Sequence, residues 1–308
     1  LSSIKKILTT IDKSINGFMD KVPNIQEKIY KEILILTKDL KLDSRGNIKN
    51  SIDNYRILSQ LRTRLRRVIF DKEYVKISKD LLKSFDDIDE VTKSYYASFA
   101  TSPSSTTEEI LKIIRQDSIN RTALYLSEQG VDINIISKAQ SILQSNITSG
   151  GSYAEFQNAM NVYINGNPEN LGAFRKYANT IVIDSINTYS RTYQTIITED
   201  LGLEWYMYTG SLLETSREWC KHMVKKKYVH KSELDDILFN NIDGVDICSK
   251  DIPCNKKTKL PEGMKADTNV NNILDYAGGW NCGHGFYGVA KEAVPKNIRD
   301  KINLSLLR

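Results

Sequence analysis

The sequence has no apolar run approaching the ~18 residues that a membrane-crossing helix needs, so no membrane span is expected. The start, Leu1 to Ile11, carries Lys5 and Lys6 but neither a long apolar core nor a small-residue cleavage site, so no signal peptide is expected. A dominant charge is also missing. Lys and Arg number 43 against 38 Asp and Glu, a net of +5, and residues 201–308 hold 16 basic and 14 acidic side chains. A dedicated sequence-specific DNA binder carries a stronger basic stripe, which leaves transient contact with DNA or another acidic surface. The common catalytic fingerprints are absent: there is no G-x-S-x-G, no H-E-x-x-H, no P-loop and no dinucleotide motif. No repeat of fixed period occurs. The 40% hydrophobic and 26% charged residues are those of a chain that buries a core. A length of 308 residues suits two domains, or one domain with an elongated helical arm.

What is present is mostly helical periodicity. Ile4, Ile7, Leu8, Ile11, Ile15 and Phe18 share one helical face, and Ile25, Ile29, Ile33, Leu36 and Leu40 repeat the pattern after Pro23. After the turn cluster 43–47, Leu58, Leu61, Leu65 and Val68 mark a third helix, and Tyr74, Ile77, Leu81, Phe85 and Ile88 a fourth. Arg62, Arg64, Arg66 and Arg67 form a basic stretch on the third, either a solvated face or a contact for a partner or nucleic acid. Thr101 to Ser105 reads as a linker, and Thr106 with Glu109 as a capping box opening the next helix. Further helices are predicted over about 107–128, 133–146, 153–163 and 170–199.

The character changes after Gly202. Trp205-Tyr206-Met207-Tyr208-Thr209 predicts a strand, Glu214 to Met223 and Ser232 to Phe239 two short helices, and His284 to Ala290 a second strand. Residues 240–279 read as loop, and about 295–306 as a closing helix. The expected architecture is therefore mainly α. An elongated multi-helix body (an arm, 1–100, and a central domain, 101–200) is followed by a small α+β Cys/His module, 201–308.

All four Cys and all three His fall between 220 and 284: Cys220, His222, His230, Cys248, Cys254, Cys282 and His284. Thiolates together with imidazoles are the ligands zinc prefers. Cys220-Lys221-His222 and Cys282-Gly283-His284 have matching form, and a structural zinc held by Cys220, His222, Cys282 and His284 would staple helix to strand. Positions i and i+2 of a regular helix face different ways. Either the helix ends near Cys220, or His230 is the fourth ligand, or there is no metal. The other readings are buried cysteines with a hydrogen-bonded His284, a Cys248–Cys254 loop disulfide, and surface histidines. His284, His222, Arg217 and Glu214 also suggest nuclease or transferase groups, although no nucleophile motif accompanies them.

Glu204-Trp-Tyr-Met-Tyr-Thr-Gly210, Thr215-Ser-Arg-Glu-Trp-Cys-Lys-His222 and Gly279-Trp-Asn-Cys-Gly-His284, after a helical body, resemble the head-morphogenesis, or minor head protein, family of tailed phages, which includes protein F of phage Mu. Cys220 matches that family's first cysteine, and Asn281-Cys282 its Asn-Cys core. Gly283 replaces the usual Arg, Trp280 a common Pro, His284 a frequent second Cys, and the intervening segment adds Cys248 and Cys254. The resemblance covers about 204–290. It implies a few-copy virion component assembled in the host cytoplasm and acting near the portal in capsid assembly or DNA packaging. Its partners would be portal, capsid or scaffolding proteins, in an oligomer or not, and its Cys/His module would be structural, with no turnover. The chief alternative is an enzyme, a toxin-like nuclease or ADP-ribosyltransferase domain on a helical arm.

Overall fold

The structure, a computed structural model, describes residues 2–99 and 102–306. The linker residue Thr101 lies outside the described residues. The chain is mainly helical, as the periodicity predicts, with its β-structure confined to short strands. In order, the elements are α1 (Ser2–Met19), α2 (Val22–Thr37), α3 (Ile52–Ile69), α4 (Lys72–Tyr96), α5 (Ser105–Leu126), α6 (Glu128–Val131), α7 (Ser137–Ser149), α8 (Tyr153–Asn165), β1 (Gly166–Asn167), β2 (Asn170–Leu171), α9 (Ala173–Asp200), β3 (Trp205–Thr209), α10 (Glu218–Lys226), β4 (Tyr228–His230), β5 (Asn241–Ile242), β6 (Val245–Asp246), α11 (Ile273–Tyr276), β7 (Gly285–Val289) and α12 (Lys296–Leu306). Among the described residues, no helix is long and apolar enough to cross a membrane.

Two compact units form. One gathers Lys13–Ser84 and Ile119–Val182; the other gathers Leu1–Asp12, Phe85–Ser118 and Ile183–Arg308. Both are discontinuous in sequence, whereas the division read from the linkers followed chain order. In the first unit, α2 packs on α3 and α8, and α7 on α3 and α8. The predicted apolar faces meet there: Ile25, Ile29 and Ile33 of α2, Leu61 and Leu65 of α3, Leu143 and Ile147 of α7, and Phe156 and Met160 of α8 are all buried. Ser51 and Ser152 cap α3 and α8 by accepting N–H groups three residues on.

The basic stretch of α3 is not a free patch. Asp132, with a side chain 2% exposed, sits in a π-turn (Asp132–Ile136) ahead of α7. It accepts Arg62 through both carboxylate oxygens and Arg66 Nε at 3.2 Å. Arg64 Nε lies 3.0 Å from Glu32, and Arg67 3.8 Å from the same carboxylate. Each of the four arginines thus faces an acid of its own unit.

In the second unit, β3 is the middle strand of an antiparallel sheet of order β4-β3-β7. Trp205 to Tyr208 are all buried, which accounts for an unbroken aromatic run instead of alternation. β7 lies against α9: a Cβ on Gly288 would come within 2.4 Å of Thr198 Oγ1, so glycine sets that approach. The Tyr95 hydroxyl donates to the Gly288 carbonyl at 2.7 Å. Both predicted strands form, and β4 adds a third that the sequence pattern does not announce. The helix predicted from Glu214 begins at Glu218, and the one predicted over 232–239 is a 3₁₀ turn (Lys231–Glu233) followed by a π-turn (Asp236–Asn240). The helix predicted from Thr106 begins at Ser105, where Ser104 Oγ accepts the Thr107 N–H.

Stripping Arg62 and Arg66 to Ala together is expected to lower unfolding free energy by about 3–5 kcal/mol, because Asp132 is left charged and buried. Asp132→Asn should cost clearly less, since both arginines reach water. Equal losses for the two proteins in denaturant titrations would contradict this account.

Candidate metal centre

Two elements of the second unit converge. Cys220 lies on the buried face of α10, fixed by its neighbour Trp219, whose indole N–H donates to the Ile237 carbonyl at 2.8 Å. Cys282 and His284 lie on the turn that feeds β7. The ligand atoms of Cys220, Cys282 and His284 all lie within 4.8 Å of one another, and the three residues are 2%, 4% and 5% exposed. The two sulfurs are 3.9 Å apart, and His284 Nδ1 is 3.6 Å from Cys282 Sγ. His284 Nε2 is buried without a hydrogen-bond partner.

His222, the fourth residue of the expected set, is not in this group. α10 continues through it, so it is turned roughly 200° around the helix from Cys220. His230 does not replace it. Its ring packs on Trp205 with centroids 4.9 Å apart, and its Nδ1 is 2.8 Å from Ser232 Oγ. Cys248 and Cys254 are joined in a disulfide. The open alternatives thus separate by position: one cysteine pair is a loop disulfide, the other a buried pair of free thiols.

Two arginines hold the turn. Arg191 of α9, 6% exposed, donates Nε to the His284 carbonyl at 2.9 Å, Nη1 to Tyr276 at 3.3 Å and Nη2 to Cys282. Arg217, just before α10, donates Nη1 to the Gly278 carbonyl at 2.9 Å and Nη2 to that of Trp280. Gly278 lies over the sulfurs: a Cβ there would be 2.4 Å from Cys220 Sγ and 2.9 Å from Cys282 Sγ. Gly283, by contrast, has nothing within 4 Å of its Cβ position.

Of the two thiols, Cys282 is the one whose pKa is lowered. The hydrogen bond from Cys220 lowers its pKa most, against burial, helped by the hydrogen bond from His284 and the charge of Arg191. Cys220 is pushed up because it donates to Cys282, then by burial and by the charge beside it. Tyr208 of β3 adjoins the group. Its hydroxyl donates to Cys220 Sγ at 3.5 Å, and its ring lies parallel to that of His284 with centroids 5.6 Å apart. Burial holds this phenol well above its ordinary pKa. Sequence reasoning read Tyr208 only as a strand residue and passed over Arg191. Its helical neighbours Asn187, Thr188, Gln194 and Thr195 are polar, so nothing in the pattern marked this arginine as buried.

A soft S, S, N donor set, buried and with its atoms within 4.8 Å of one another, is chemically fit for a zinc-like ion. It is poorly placed for catalysis, since its three residues are no more than 5% exposed. Of the remaining residues considered for catalysis, Glu214 is exposed and Arg217 is committed to carbonyls.

Arg191→Met should cost about 3 kcal/mol or more, because it strips charge-assisted bonds from buried carbonyls. Gly278→Ala should lower stability and weaken metal uptake by forcing backbone and sulfurs apart, whereas Gly283→Ala should change neither. Thermal melts with and without added zinc test both, and an effect at Gly283 matching that at Gly278 would refute the close-packing argument.

No family model matches the chain, and no curated protein or solved structure matches it either.

Proposed function

We propose that this chain is a minor head protein of a tailed phage, a structural virion component that acts near the portal in capsid assembly or DNA packaging. The observation that carries the reading is the meeting of Cys220 with Cys282 and His284. These residues belong to the two sequence elements on which the resemblance rests, and they stand 62 positions apart in the chain. In this reading the cluster holds zinc through Cys220, Cys282 and His284. The ion supplies folding free energy and performs no turnover. Burial of all three ligands supports a structural role over the nuclease or ADP-ribosyltransferase alternative, which needs an accessible His284.

Partners are portal, capsid or scaffolding proteins. Ile110 and Ile113 of α5, 41% and 68% exposed, offer apolar contact one helical turn apart. The paired arginines of α3 leave little free charge there for DNA, so any DNA contact is transient.

The deciding experiment is sedimentation of phage-infected lysate, with the protein quantified by mass spectrometry in empty heads, filled heads and the soluble fraction. A few copies per head are expected, and a purely soluble distribution would sink the reading. In the isolated protein, Cys282→Ser or chelation should release zinc and lower stability by an amount on the order of several kcal/mol.

A further inference from the structure

We propose that Tyr208 is the fourth ligand of this centre, so that Cys220, Cys282, His284 and the Tyr208 phenolate enclose the ion in a closed, four-coordinate site. The inference rests on the zinc reading above and extends it to a residue outside the Cys/His set.

The argument is geometric. With Zn–S of about 2.3 Å and Zn–N or Zn–O of about 2.0–2.1 Å, a tetrahedral site has edges of roughly 3.8 Å between two sulfurs and roughly 3.5–3.6 Å between sulfur and nitrogen or oxygen. The protein already holds three such edges in sequence. Tyr208 Oη to Cys220 Sγ is 3.5 Å, Cys220 Sγ to Cys282 Sγ is 3.9 Å, and Cys282 Sγ to His284 Nδ1 is 3.6 Å. The rings of Tyr208 and His284 lie parallel, with centroids 5.6 Å apart, so both ends of this path belong to one stacked pair.

Tyr208 has little freedom to be elsewhere. It sits on the middle strand, paired with Phe286, and its ring also meets Trp219 and Phe286 edge-on. It is fully buried, so no open channel favours water as the fourth ligand. Its hydroxyl donates to a sulfur, a weak acceptor for a buried phenol. Charge also balances. Two thiolates neutralise a divalent ion, and the phenolate is matched by the buried guanidinium of Arg191, which binds only carbonyls among the hydrogen bonds described. The ion's own charge reverses the preference for a protonated phenol that burial otherwise imposes.

The test titrates the full chain with zinc, and with cobalt(II) as its spectroscopic stand-in. Wild-type protein should give a four-coordinate cobalt spectrum with thiolate charge transfer, and zinc should raise one tyrosinate difference band per ion. Tyr208→Phe should keep the thiolate charge transfer, lose the tyrosinate band and bind zinc on the order of 10–100-fold more weakly, the size of loss known for groups that tune a metal. The tyrosinate band is read on the wild-type protein, so it decides the question even if the variant folds poorly. Zinc binding without that band, or with affinity unchanged in Tyr208→Phe, would overturn the proposal and leave a three-ligand site. A wild-type protein that binds neither ion would overturn the zinc reading itself.

Discussion

The buried guanidinium of Arg191 is the constraint on which the C-terminal module depends. A charge placed in an apolar interior must be fully hydrogen-bonded, and here the partners are the carbonyls of Tyr276, Cys282 and His284. Three contacts along one turn leave its backbone few alternatives. Arg217 takes the Gly278 and Trp280 carbonyls, so the segment between α11 and β7 is gripped by two arginines. Behind the hydrogen bonds from Cys220 and His284, the same positive charge adds to the lowering of the Cys282 pKa.

Backbone conformation then decides which of two equivalent motifs can act together. Cys220-Lys221-His222 and Cys282-Gly283-His284 share a spacing of two. On α10 that spacing is roughly 200° of rotation, which separates the side chains. Where the chain runs out into β7, it approaches the period of an extended strand, in which i and i+2 share a face. Cys282 and His284 therefore converge, and His222 does not. Gly278 completes the arrangement by letting the turn close onto both sulfurs.

This contrast shows where sequence reading succeeded and failed. The long helices were legible because each repeats an apolar face over several turns, and β3 and β7 because aromatic and β-branched residues cluster between breaks, whereas the short β5, β6 and α11 form inside the stretch read as loop. β4 was not legible, because Tyr228-Val229-His230 is too short to set a period and exists by pairing with Trp205 to Met207. The π-turns at Asp132 and Asp236 read as ordinary helix, since the insertion of one residue barely disturbs the pattern. Cys220, Cys282 and His284 could be named as candidates from composition. Tyr208 and Arg191 could not, because their roles depend on contacts 12 and more than 80 residues away.

The two cysteine pairs span very different lengths of chain. Cys248 and Cys254 are separated by 6 positions, whereas Cys220 and Cys282 are separated by 62. The entropy removed from an unfolded chain by closing a loop grows as the logarithm of its length, so a link across the longer span is worth about 2 kcal/mol more by this argument alone. That longer span carries the disulfide, both π- and 3₁₀-turns after β4, a long stretch of loop and most of the buried cluster around them. A link at its two ends would therefore close the whole of that cluster. The two sulfurs lie 3.9 Å apart, so an ion bridging them would demand little rearrangement.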